Sequence, residues 1–446
     1  MEKIMQYAWQ WRLYGNKDLR LVDGRKIRII DPGTLNKADG PDFFNAKIYL
    51  DGFELVGNVE IHVKASDWWR HNHHLDPSYS NIILHVVAVD DAQLTKSNGL
   101  IVPQLLFPLS PQLIELYSNL SADASLPPPM RCWHRLQELP PILLQDAIYS
   151  ASFERIREKS SRIIETLRYL DGDISHTCIV AIARALGFGV NSQPFEQTAL
   201  KLNLNHCARH ADDTMQLDAL VFGTAGLLSR LPKNADPYFY TLQSEFNFLS
   251  HKYSITALPP EIWKRSGVRP QNSPYRRLAY LARLLPHANS LMSRLEDAQC
   301  TIEKVAESLD MEFTDYWADH YTFGNSSPNV PKNALKDSSL QLLLINAIAP
   351  LTFAMGMIRG QVAQEEMAAD LLTNLPPENN SITRDWIRVG IKPKNAFESQ
   401  GLIQLRKQYC DCNKCLQCRI GNRLLRSQAL PVLPVPRKTS ATPAST

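Results

Sequence analysis

The chain has 446 residues, 44% hydrophobic and 21% charged, with 48 Lys and Arg against 45 Asp and Glu for a net charge of +3. Such a composition excludes a disordered or fibrous chain and is enough for two or three domains with real cores. The near balance of charge excludes a global attraction to nucleic acid or an anionic surface, so a partner of that kind must meet a local basic patch.

The first residues, MEKIMQYAWQWRLYGNK, lack the apolar run and small-residue cleavage site of a secretory leader, so the expected location is the cytoplasm. An aromatic helix is expected from Ile4 to Tyr14. Strand-like runs follow at Lys26–Ile30, Ala46–Leu50, Leu55–Val63 and Asn81–Val89, punctuated by Gly- and Asp-containing turns. Between the third and fourth lies a polar piece, Ser66 to Ser80, whose opening SDWW places Ser66 as the N-cap of a short helix. The predicted order is helix, three strands, helix, strand.

Five of the twelve histidines fall between His62 and His85. Read as a strand, Val59 to Lys64 sends Val59, Ile61 and Val63 to one face and Glu60, His62 and Lys64 to the other. A turn at Asp51-Gly52 would pair the second and third runs and bring Asp42 towards Glu60. Two neighbouring carboxylates repel unless a cation lies between them, which makes the pair a candidate seat for Mg²⁺ or Mn²⁺. His62 or Lys64 would then serve as base or as a further ligand. His71 and His74, three residues apart, would share a helix face and add a second set of ligands, whereas His73 or His74 taken alone reads as a surface residue. His85, within an apolar run, reads as a hydrogen-bonded core histidine that alternation could also aim at the site.

A break at LPPPM (126–130) marks a linker, giving a first domain over 1–125. From 140 to 375 the pattern is helical, as in FERIREKSSRIIETLRYL (153–170). Leu340 to Ile358 carries no charge over 19 residues, but Gln341, Asn346 and Pro350 interrupt it. It reads as a buried helix broken near Pro350, with no membrane partner. Residues 380–426 form a Cys-rich segment, and 427–446 read as a disordered Pro/Ser/Thr tail.

Cys410, Cys412, Cys415 and Cys418 place four thiols within nine positions, a soft donor set for Zn²⁺ or an iron–sulfur cluster. Alternatively, three of them join a distant fourth such as Cys132 or Cys207 and leave Cys412 spare. Two basic stretches are candidates for phosphate contact: Arg406, Lys407, Lys414, Arg419, Arg423 and Arg426, and Lys264, Arg265, Arg269, Arg276, Arg277 and Arg283.

The element order, with Pro41-Asp42 on the second strand and Glu60-x-His62 on the third, resembles the PD-(D/E)xK nuclease core. That resemblance implies a restriction-endonuclease-like α/β domain whose two acids hold a divalent metal, with His62 standing where the family has lysine. The longer strings GPDFFNA, GNVEIH, SDWWRHNHHLDPSY, NIILHVV, GFGVNSQPFE and RPQNSPYRRLA, with the C-terminal cysteines, resemble the bacterial domain-of-unknown-function family 2851 over residues 2 to 426. The expected protein is therefore α+β, with a nuclease-like domain, a mainly helical domain and a Cys-rich segment. Its expected function is metal-dependent hydrolysis of DNA or RNA phosphodiesters. The alternatives are an inactive nucleic-acid-binding or assembly module of the same fold and a zinc hydrolase of a small molecule.

Overall fold

In the computed structural model the residues described are 1–14, 19–36, 39–95, 99–121, 130–264, 273–297 and 302–429. The chain divides into two units, Met1–Ala147 with Leu405–Thr446, and Ile148–Gln404. The Cys-rich segment therefore belongs with the N-terminal residues, while 380–404 fall in the helical unit. The helix Arg419–Ala429 extends into the expected tail, whose remainder lies outside the described residues, as does most of LPPPM.

The first unit is built on a mixed sheet. After helix α1 (Glu2–Gln10) come strands β1 (Leu19–Arg20), β2 (Lys26–Asp31), β3 (Thr34–Leu35), β4 (Phe43–Leu50) and β5 (Phe53–Lys64), helix α2 (Asp67–Arg70), then β6 (Ile82–Val89) and β7 (Gln104–Leu106). The sheet order is β1-β2-β4-β5-β6-β7, with β3 on β4. Pairing is antiparallel up to β5 and parallel for β5/β6 and β6/β7. The three shortest strands have too few residues to show alternation in the sequence.

Strand β4 buries Ala46, Ile48 and Leu50 and exposes Lys47 and Tyr49, as a half-buried strand should. The β4/β5 turn puts both Asp51 (φ 53°) and Gly52 (φ 86°) in the left-handed region, the geometry of a two-residue hairpin that matches the sheet's twist. Strand β5 is exposed at Phe53, Glu54 and Val56 and buried on both faces from Gly57 to His62. Val59 and Ile61 join a core with Ile4, Met5 and Trp9 of α1 and Leu84 and Val86 of β6. The opposite face carries Glu60 and His62.

Helix α2 stops after one turn because Asn72 adopts φ 60° and turns the chain into two short 3₁₀ segments, His73–Leu75 and Pro77–Tyr79. Ser66 stands at the N-cap position of α2, as expected, but its side chain makes no capping bond. Its amide and hydroxyl both donate to the Asp91 carboxylate.

Among the described residues the named elements of the second unit are helices and one small hairpin, His320–Thr322 with Asn325–Ser326. At its centre Asp218 is fully buried and accepts from Arg283, Tyr238 Oη and Trp317 Nε1, while Arg283 also pairs with Asp315. Arg276 and Arg277, candidates for phosphate contact, are buried and donate to the carbonyls of Trp317, Pro331 and Asn333 and of Leu186. Those guanidiniums are used inside the unit; Arg265 and Arg269 lie outside the described residues. The apolar run lies in a helix from Asp337 to Arg359, long and apolar enough to cross a membrane, and 72% of its most apolar window is buried inside the fold. A π-turn at Leu344–Ile348 precedes Pro350, which has no N–H for the carbonyl four residues back.

Replacing Asp218 by Ala takes the acceptor from Tyr238 Oη and Trp317 Nε1 and leaves the Arg283 guanidinium with Asp315 alone. A loss of roughly 3–5 kcal/mol is expected for the unit that holds it. Urea unfolding of Asp218→Ala against wild type checks this; an unchanged midpoint would contradict it.

Candidate metal centre

The hairpin and one backbone irregularity place the two acids. Phe44 and Asn45 are both exposed, Asn45 at φ 56°, so β4 bulges between Phe43 and Ala46. Beyond that bulge the Asp42 amide donates to Glu60 Oε2 at 3.0 Å. The Asp42 carboxylate accepts from Gln6 Nε2 of α1 (2.8 Å) and from the Ile61 amide (3.0 Å), one bond to each oxygen. Each oxygen keeps a free lone pair.

Glu60 is 5% exposed, and its Oε1 faces His62 Nε2 at 3.5 Å and His73 Nε2 at 3.4 Å. Those distances bring two ring nitrogens to the carboxyl group without an aligned hydrogen bond: His73 Nε2 is buried with no hydrogen-bond partner. His62 Nδ1 meets His85 Nε2 at 2.9 Å, and His62 Nε2 meets His71 Nδ1 at 3.2 Å. Parallel pairing of Glu60 with His85 across β5/β6 brings that ring under the site. His62, His71 and His73 each offer a nitrogen, all within 4.8 Å of one another. His62 can free its Nε2 lone pair for a metal by carrying its proton on Nδ1, where His85 accepts it. In that tautomer His85 would be the group that orients the His62 ring.

Burial dominates the electrostatics. It raises Asp42 above the ordinary carboxylate range, and it raises Glu60 further, with the Asp42 charge adding to the effect. The imidazoles move the other way. Burial, then His73 and His71, lowers His62 to about 3; burial, then His71, lowers His73 to about 4. His85 is held well below its usual value by burial and by His62. Neutral imidazoles beside a carboxyl pair that burial keeps protonated are a donor set that could hold a cation, and no cation is among the groups that shift the two acids.

Some expected residues lie elsewhere. Lys64 is exposed at the end of β5, and its amide donates to Asp67 Oδ2. His74 packs against Trp69 with ring centroids 4.8 Å apart, on the far side of the left-handed Asn72 from His71. His73 takes the inward place instead. Its signal in the sequence was Asn72, a residue that tolerates the left-handed turn reversing the helix. Of the C-terminal thiols, Cys418 is buried and Cys410 and Cys415 are half-buried, whereas Cys412 is exposed and donates to the Lys407 carbonyl at 3.3 Å. Among the basic residues there, Arg406 pairs with Asp411, Arg419 with Asp146, and Arg426 lies over the Trp11 ring.

A family described as "Protein of unknown function (DUF2851)" matches residues 2–381. The chain belongs to that family. The DUF2851 match takes in every residue from Asp42 to His85 and also Cys132, and it ends before Cys410. No curated protein and no solved structure matches the chain.

A divalent ion entering this site must displace the protons of the acid pair, which leave at about 6 and about 9. Both folded values lie above the ordinary carboxylate range, so metal-free stability falls as pH rises through them, and a cation restores it. Metal affinity is therefore expected to rise steadily from pH 6 to 9, with protons released on binding. Mn²⁺ calorimetry in two buffers of different ionisation enthalpy measures both; an affinity independent of pH would contradict the assignment.

Proposed function

We propose that the N-terminal unit is a divalent-metal-dependent phosphodiesterase acting on nucleic acid, with Glu60 at its centre. The observation that carries the proposal is the convergence on one buried carboxyl group of Asp42 from one side and His62 and His73 from the other. The substrate class rests on the element order. Helix α1, antiparallel strands β2, β4 and β5, helix α2 and parallel strand β6 follow the sequence that the PD-(D/E)xK resemblance implies. Fold likeness alone is weak support for a reaction, which is why the donor set carries the argument.

Glu60, His62 and His73 would hold the ion, and their mix of carboxylate and imidazole suits Mn²⁺ better than Mg²⁺. When bound, such an ion polarises a phosphoryl oxygen and acidifies a water. Asp42, fixed by Gln6 and the Ile61 amide, supplies the second negative group. His71 is the exposed member of the trio and sits where it can take a proton from an incoming water. No lysine is needed in this arrangement: His62 occupies its place, and Lys64 points to solvent.

The zinc-hydrolase reading has an observation of its own, since three imidazoles are the donors of one kind of catalytic zinc site. Incubating the full chain with labelled single- and double-stranded DNA and RNA, in Mn²⁺, Mg²⁺ or EDTA, separates the readings. Cleavage in Mn²⁺ is expected, absent in EDTA and reduced at least ~10²-fold in Glu60→Gln and His73→Ala. Binding of nucleic acid with no cleavage in any metal would favour the inactive module. Tightly held zinc with turnover of a small ester, and no action on nucleic acid, would favour the zinc hydrolase.

A further inference from the structure

Among the described residues, the buried and half-buried cysteines fall into two groups by what surrounds them. Cys178 and Cys207 are buried in the helical core, where burial alone raises each thiol to about 12, apart from one backbone hydrogen bond to Cys207. They behave as small apolar residues. Cys132, Cys410, Cys415 and Cys418 are different, because they come from two distant parts of the chain and meet in one unit.

Backbone and side-chain contacts bring those parts together. Arg406 Nη1 lies 3.8 Å from Met130 Sδ, setting the segment before Cys132 beside the π-turn Leu405–Cys410. Cys132 and Cys415 pack on the same apolar core, the one beneath the sheet. After Cys410 the chain reverses: the Lys414 amide donates to the Tyr409 carbonyl at 2.8 Å, and Asn413 takes φ 54°. It then folds into a tight knuckle in which the Cys418 amide bonds the carbonyls of Lys414 (3.0 Å) and Cys415 (3.3 Å). Gly421 lies so close to this knuckle that a Cβ there would be 2.3 Å from the Cys415 carbonyl oxygen. This reversal keeps Cys415 and Cys418 in one knuckle, on the core that Cys132 also packs against.

The thiols act on one another electrostatically. Burial raises Cys132 to about 12, with Cys418 and Cys415 adding to it; burial raises Cys410 well above its usual value, with Cys132, Cys418 and Cys415 adding. Cys412, by contrast, is exposed and turned to the Lys407 carbonyl.

We infer that Cys132, Cys410, Cys415 and Cys418 form a four-thiolate centre for a thiophilic metal, zinc or an iron–sulfur cluster, with Cys412 outside it. Four sulfur donors complete the coordination of either group, so the centre is structural and leaves no open position for substrate. Its effect is to tie the C-terminal segment to residue 132 within the first unit. Neither centre depends on the other: the donors here are sulfur only, those around Glu60 oxygen and nitrogen only.

The test is metal and acid-labile sulfide content of the full chain, purified without oxygen or chelator, with its ultraviolet–visible spectrum. One zinc per chain, or iron with matching sulfide and a visible absorbance, is expected in wild type, Cys412→Ser and Glu60→Gln. Content should fall at least tenfold in Cys132→Ser, Cys410→Ser, Cys415→Ser and Cys418→Ser. If those four variants fail to fold, X-ray absorption of the wild-type protein still counts the sulfur ligands, and four are expected. Alkylation read by mass spectrometry should then label Cys412 at once and the other four only after chelation. Metal-free wild type, metal retained in folded Cys132→Ser, loss in Cys412→Ser, or fewer than four sulfur ligands would each overturn the assignment.

Discussion

A carboxyl group held out of water beside a second carboxyl group cannot ionise cheaply, and Glu60 is in that position. Most of the first ninety residues are arranged around it. The bulge at Asn45 turns the Asp42 amide onto its Oε2, helix α1 sends Gln6 to the Asp42 carboxylate, and the reversal at Asn72 lays His73 against its Oε1. The parallel strand β6 slides His85 under His62, which fixes the ring that faces Glu60. Each of these features costs conformational freedom or desolvation, and none of them neutralises the acid pair.

The second unit shows how the same chain treats a buried acid that is purely structural. Asp218 is as deeply buried, but it receives the Arg283 guanidinium, a phenol and an indole N–H. Its charge is matched from within. The groups that shift Glu60 are burial, Asp42, the Asp42 amide and Glu2, and none is a cation. A buried ionisable group left in that state is a candidate functional group. The contrast between Asp218 and Glu60 therefore bears more on function than either fold or family does.

The hairpin was legible in the sequence because Asp51-Gly52 is a strong local signal and the alternation of Val59 to Lys64 is clean. The approach of Asp42 to Glu60 follows from that hairpin. The inward histidine was not legible: spacing on a helix favours His71 with His74, but the helix lasts one turn, and a single left-handed residue exchanges His74 for His73. Lys64 has the right parity for the site, yet parity does not say where burial along a strand ends, and β5 reaches solvent by that residue. The basic run around Arg276 and Arg277 read as a surface because charge runs usually are one. The carbonyls that accept from these arginines come from residues up to 91 positions away, beyond any local pattern. The cysteine spacing announced a cluster and left Cys132 and Cys207 open as a distant partner; the fold puts Cys132 in the same unit as the C-terminal thiols and Cys207 in the helical one.

Crystals soaked in Mn²⁺ and measured at the manganese absorption edge test the central claim most directly. The account predicts an anomalous peak bounded by Glu60, His62 and His73, with Asp42 on its far side, and its loss in Glu60→Gln. A protein that binds no Mn²⁺ at this place, or holds it elsewhere on the unit while Glu60 keeps its proton, would contradict it.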